Sequence, residues 1–256
     1  MTLAYVSPAE AIRHKGLRLV LVRNIPSPWG QATKTILELK GLDYVAAPLE
    51  LAKANEEIVA WSGQNSAPVV AWRDEKPVTR WQDILLLAER LAPMPALIPA
   101  DPLQRALMWG FSNELCGENG IGWSRRLQGF GRARASGKVN PVSETLIAKY
   151  GYDAEALKAA PQRIAAILAA LSAQLTAQQA RGVTYFVGDA LSALDIYFVT
   201  FMNLLAPLPP EQCPMPDVYR PGFTAREPEI VNALDATLLA HRDRIFAAHF
   251  RSPMEF

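Results

Sequence analysis

The chain has 256 residues, half of them hydrophobic and a fifth charged, with a net charge of +1. This is the composition of a soluble, well-cored protein of one large or two small domains. It gives no reason to expect nucleic acid or an anionic membrane as a partner, and no apolar run approaches the roughly 20 residues that cross a bilayer. The two cysteines, Cys116 and Cys213, are far apart and form no CxxC or metal-type spacing, which points to a reducing compartment. The opening residues lack a basic n-region and an apolar h-region, so no signal peptide is read and the expected location is the cytoplasm.

In chain order, Ser7-Pro8-Ala9-Glu10 reads as a capping box with proline at the first helical position, and Gly16 closes a short leading helix. Leu17-Arg18-Leu19-Val20-Leu21-Val22 is a nearly unbroken apolar run of strand length. Arg23-Asn24-Ile25-Pro26-Ser27-Pro28-Trp29-Gly30 follows. Its two prolines break the chain and place Ser27 on a turn before a helix at 29–40 that carries Trp29, Ala32, Ile36 and Leu39 at helical spacing and stops at Gly41. A helix start presents unpaired N–H groups and a positive dipole, suited to an anion or a thiolate. Two readings of Ser27 stay open on this stretch: an exposed functional hydroxyl, or a plain N-cap.

Residues 44–48 form a weaker second strand, 51–62 a modest helix, and Ser66 to Trp72 a third strand containing Ala67-Pro68-Val69. A charged hairpin, Arg73 to Pro77, returns the chain through Val78-Thr79. Proline at the head of that third strand is either an edge device or a cis bond. Thr79-Arg80-Trp81-Gln82 fits a capping box, ahead of a helix with apolar Ile84, Leu85, Leu87, Ala88 and Leu91. Residues 92–102 hold four prolines, and the texture changes there from alternating strand and helix to helix alone.

The second part predicts helices at about 102–115, 123–127, 142–150 and 153–180. The segment 125–143 holds Arg125, Arg126, Arg132, Arg134 and Lys138 with no acidic residue before the helix at 142. Arg125 and Arg126 read as an anion clamp or as a solvated basic face. Trp123 reads as a cleft wall or a core residue, and Cys116 as a small buried hydrophobe. Gly188-Asp189-Ala190-Leu191-Ser192-Ala193-Leu194-Asp195-Ile196 carries a capping box, Ser192 with Asp195, and a hydrophobic staple, Leu191 with Ile196. Residues 207–221 are a proline-rich loop, and one last helix shows Ile230, Leu234, Leu238 and Ile245 on a face. His14, His241 and His249 show no ligand spacing, so no metal is expected and no serine-histidine-acid arrangement is argued.

Together these pieces resemble the glutathione transferase superfamily over nearly the whole chain. The matching features are the Ser27-Pro28-Trp29 turn, Ala67-Pro68-Val69 as a cis-proline strand, and the Gly188 to Ile196 box and staple. The resemblance implies an α/β thioredoxin-like domain over 1–91 with an extra leading helix, a proline-rich linker at 92–102, and an all-α substrate-side domain over 103–256. It implies a homodimer, and glutathione as co-substrate for attack on a small electrophile. Ser27 would hydrogen-bond the glutathione sulfur, and the backbone at Ala67 or Val69 beside cis Pro68 would pair with the cysteinyl unit. Pro28 and Trp29, in the same turn, would belong to the glutathione-binding residues. The family places an acid-then-serine pair at the start of the next helix, and this chain has none. One register puts Arg80 and Trp81 there, the other Asp83 and Ile84; Trp81, Gln82 and Asp83 are then the residues at hand for the γ-glutamyl end. Arg126 is a candidate for a glutathione or substrate carboxylate. Two further readings are a glutathione-dependent peroxide or disulfide reductase, with Gly30 where a CxxC would carry its second cysteine, and a non-catalytic binding protein that keeps the fold.

Overall fold

The apolar run at 17–22 becomes the middle strand of a small mixed sheet. The structure is a computed structural model that describes residues 3–51, 53–137 and 141–256, so Lys138 lies outside the described residues. Strand β1 (Leu17–Val22) runs parallel to β2 (Tyr44–Leu49) and antiparallel to β3 (Val69–Trp72), in the order β2-β1-β3. A strand flanked on both sides and covered on both faces needs no polar alternation, and Leu17, Leu19, Val20 and Leu21 are at most 1% exposed. Arg18 is the exception. Its buried guanidinium donates to the carbonyl of Ile12 at 3.3 Å and to that of Arg73, and lies 5.4 Å from the Trp61 ring centroid. The expected return strand is reduced to one bridge, Val78 to Val70.

Around the sheet lie α1 (Pro8–Arg13), α2 (Pro28–Leu39), α3 (Glu56–Ser62) and α4 (Trp81–Leu91). The capping box of α1 forms as read: Ser7 N–H donates to Glu10 Oε2 at 2.9 Å, and Glu10 N–H to Ser7 Oγ at 3.2 Å. Helix α3 is shorter than the 51–62 expected. Asn55 sits at φ 48°, and its amide donates at 2.9 Å to the carbonyls of Glu50 and Lys53, so a turn occupies the predicted first helical turn. Lys40, past the end of α2, is buried, with its three ammonium protons met by Glu89 at 2.9 Å and by the carbonyls of Ala92 at 2.7 Å and Pro95 at 2.9 Å. The start of the proline-rich linker is thereby tied to α2 and α4.

The chain divides into two units, Met1–Leu97 with Leu208–Asp217 and Ala247–Phe256, and Ile98–Pro207 with Val218–Phe246. The sequence division assigns 103–256 as a whole to the helical part. The two late segments group with the first unit because Met254 N–H donates to the Gln212 carbonyl at 2.8 Å, Gln31 Nε2 to that of Glu255 at 3.1 Å, and Arg251 pairs with Glu38 at 3.4 Å. The first unit is the α/β, thioredoxin-like part.

The second unit is helical: α5 (Pro102–Cys116), α6 (Ile121–Ala135), α7 (Pro141–Tyr150), α8 (Ala154–Gln179), α9 (Ala193–Met202), α10 (Pro228–Ala233) and α11 (Ala236–His249) up to Phe246. Helix α9 is buried at every residue. The single last helix of the sequence reading is two helices. Leu234 leaves helical geometry at ψ 77°, and Asp235 restarts the chain by accepting the Leu238 N–H at 2.8 Å. No helix among the described residues is long and apolar enough to cross a membrane.

Candidate functional site

Three backbone ends meet at one edge of the first unit, and strand direction explains why. Strand β1 leaves the sheet at Val22 and enters the turn to α2. Because β3 is antiparallel to β1, with Val69 opposite Val20, the chain enters β3 at that same edge. The peptide bond between Ala67 and Pro68 is cis. After the hairpin, Val78 pairs with Val70 through backbone bonds of 2.8 and 2.9 Å, so the chain runs back toward the edge before α4 begins. Ser27, Ala67, Pro68, Val69 and the first turn of α4 with Trp81, Gln82 and Asp83 therefore share one end of the sheet.

Ser27 occupies the N-cap position of α2 at φ −56°, ψ 123°, with Pro28 as the first helical residue. Its N–H donates to the Ile25 carbonyl at 2.8 Å and its carbonyl accepts from Gln31 N–H at 2.8 Å. Its side chain makes no capping hydrogen bond. A serine at this position ordinarily spends its hydroxyl on the N–H groups of the first turn; this one is half-buried, and among the described residues its hydroxyl is uncommitted. Gly30 keeps the space beside it clear: an added Cβ would stand 3.1 Å from Leu21 Cδ2 and 3.9 Å from Ser27 Oγ.

Helix α4 starts one residue later than its expected capping box. Arg80, at φ −86° and ψ 136°, is the N-cap and makes no side-chain cap bond. Val78 is held to Val70, Arg80 takes the extended conformation that an N-cap requires, and the Thr79-Gln82 box does not form. The start of α4 thus carries Arg80 and Trp81, the register counted from the strand, and no acid-serine pair. Trp81 is 9% exposed, while Gln82 and Asp83 are half-buried in the first turn.

The fold that carries this edge recurs in solved structures. A glutathione S-transferase from Methylobacterium radiotolerans, in complex with glutathione sulfonate, matches at TM-score 0.65 and 21% identity, covering 91% of each chain. Beta-etherase LigF from Sphingobium sp. strain SYK-6 matches at TM-score 0.62 and 19% identity, covering 90% of this chain and 95% of that one. A rice glutathione transferase in complex with glutathione matches at 0.58 and 20%, covering 94% of each. The chain has the glutathione transferase fold. No protein-family model matches the sequence, and no curated protein does.

Arg125 and Arg126 read from the sequence as a solvated basic face or an anion clamp, and neither describes Arg125. That guanidinium is 4% exposed and consumed by structure: it donates to the carbonyl of Leu204 at 2.8 Å, to that of Thr224 at 2.7 Å and to Gln128 Oε1 at 2.8 Å, and pairs with Glu227 at 3.3 Å. Arg126 belongs to the second unit, where its guanidinium lies 4.1 Å from the Tyr150 ring centroid and 5.6 Å from that of Trp123. Trp123 stands edge-on to Tyr150 and packs against Leu127, Phe130 and Ile147. Cys116 is buried, and burial drives its thiol pKa well up, away from nucleophilic use.

The Ser192-Asp195 box is present, and it contains a partner that the sequence did not reveal. Asp195 accepts from Ser192 N–H at 3.0 Å, Ser192 Oγ at 2.9 Å and Phe186 N–H at 3.1 Å, and meets His241 Nε2 at 3.0 Å. Arg244 Nη2 lies 3.1 Å from His241 Nδ1, which assigns the ring proton to Nε2. The serine bonds the carboxylate and not the histidine, and all three residues are buried. This cluster anchors a helix; it is not a hydrolytic triad.

Proposed function

We propose that the protein is a glutathione-dependent transferase whose thiol site is the turn at Ser27. The uncommitted Ser27 hydroxyl, at a helix N-terminus and on the sheet edge shared with cis Pro68, carries this reading. Glutathione would place its cysteinyl backbone against Ala67 or Val69 and its sulfur beside Ser27 Oγ. The serine O–H would then donate to the sulfur, and the α2 dipole would favour the thiolate. Hydrogen bonds to a charged group contribute about 1.5–3 kcal/mol, which corresponds to roughly one to two pKa units below the thiol's usual ~8.5.

The thiol proton passes to solvent. The sulfur electron pair forms the new bond to an electrophilic carbon, and the leaving group departs with the bonding pair. Backbone N–H groups at the start of α4 would receive the γ-glutamyl carboxylate, and Asp83 its ammonium. The helical domain, with Arg126 as a candidate carboxylate partner, would hold the electrophile. By analogy of fold we propose a homodimer, which light scattering tests. With a chloronitroaromatic electrophile, Ser27→Ala should lower kcat/KM by roughly 10- to 100-fold, the rate equivalent of that hydrogen bond; an unchanged value overturns the role of Ser27.

Arg80 and Trp81 at the head of α4, in place of an acid-serine pair, favour a second reading: a binding protein that has given up glutathione. Titration calorimetry separates the two. Heat on glutathione addition supports the transferase, and neither heat nor a thermal shift at millimolar ligand supports the binding protein.

A further inference from the structure

We propose that the face between α6 and α8 is a binding site for a small organic carboxylate. The first observation is a polar atom left over. Gln128 is 4% exposed, and its Oε1 accepts from Arg125 Nη1 at 2.8 Å, which fixes the orientation of the amide. The other end, Nε2, is buried and has no hydrogen-bond partner among the described residues. Buried donors of this kind are rare because leaving one unmet is unfavourable.

The second observation is an open surface recess of about 280 Å³, part of whose lining is Gln128. Gln128, Gly131, Arg132 and Ala135 fall at i, i+3, i+4 and i+7 and so form one face of α6. Leu157 and Pro161, one turn apart on α8, supply the opposite wall, and Glu227 closes one side. Gly131 allows this approach, since a Cβ there would come within 2.6 Å of Leu157 Cδ2.

The third observation is charge. Arg125 and Arg132 share one carboxylate, that of Glu227, at 3.3 and 3.2 Å, leaving one positive charge unbalanced in the cluster. Burial first, and then repulsion from Arg132, bring the Arg125 pKa down to about 10 against the opposing pull of Glu227. A single water would satisfy the amide and leave that charge in place. A carboxylate meets both needs, with one oxygen accepting from Gln128 Nε2 and the other from the half-exposed Arg132 guanidinium. Leu157, Pro161 and Ala135 would cover a short apolar body. All of these residues belong to the second unit, so the inference is independent of the thiol site.

The test uses the full chain and two probes, benzoate and hexanoate, titrated at constant ionic strength with chloride as control. Saturable binding to wild type is expected. Gln128→Glu keeps an acceptor for Arg125 but loses the donor, and it should weaken binding at least tenfold, as should Arg132→Gln. Glu227→Gln frees both arginines and should tighten binding several-fold, an outcome that a purely structural role does not produce. Ser27→Ala should leave both probes bound as in wild type. Absence of saturable binding to wild type, or equal affinity in Arg132→Gln, overturns the proposal. If Gln128→Glu does not fold by circular dichroism, the Arg132 and Glu227 variants decide.

Discussion

Two serines stand at helix N-caps in this protein, and their hydrogen bonds set them apart. Ser192 opens α9 at 2% exposure, and its N–H and hydroxyl both donate to Asp195, which also accepts from Phe186 N–H and meets His241. Ser27 opens α2 half-buried, and its side chain caps nothing. Position and residue type are common to both, so neither separates an anchor from a reactive group. What separates them is whether the hydroxyl is already in use. One helix start is closed and buried, and the other is open at an edge where two further chain ends arrive.

The contrast yields a graded set of expectations for stability. Asp195→Ala strips acceptors from two buried N–H groups, the Ser192 hydroxyl and the His241 ring, and each buried orphan costs about 1–3 kcal/mol. A loss of roughly 4 kcal/mol or more is therefore expected in urea unfolding, and a loss under about 1 kcal/mol would break the claim that this box anchors α9. Ser192→Ala keeps the backbone bond and removes one hydroxyl bond, so about 1–2 kcal/mol is expected. Ser27→Ala removes a hydroxyl that makes no capping bond and has no hydrogen-bond partner among the described residues, so the midpoint should move by no more than about 0.5 kcal/mol. A drop of 1 kcal/mol or more at Ser27 would return it to the role of an ordinary cap.

Much of this contrast was legible in the sequence, because capping signals are local. Ser7 with Glu10 and Ser192 with Asp195 are three residues apart, and each pair forms bonds that the spacing anticipates. Proline at 68 left an edge device and a cis bond open, the family resemblance implied cis, and the bond is cis; two prolines around Ser27 marked the turn. Long-range partners were not legible. His241 lies 46 residues from Asp195, and Glu227 lies 102 from Arg125, so no window on the chain pairs them. A run of arginines without nearby acids thus read as a basic surface or an anion clamp, although folding supplies Arg125 with carbonyls and a carboxylate from distant loops. The Thr79-Gln82 box failed for a related reason: the hairpin pairing of Val78 with Val70 set where α4 began, and this tertiary constraint outweighed a local signal.

The open hydroxyl at Ser27 is the centre of the functional account, and ionisation of glutathione bound at that turn tests it most directly. Ultraviolet difference titration of the thiolate should place the bound thiol about one to two units below its usual ~8.5 in the wild type. In Ser27→Ala most of that shift should vanish, with the fold intact by circular dichroism. A bound thiol with the same lowered pKa in both proteins would contradict the assignment of Ser27.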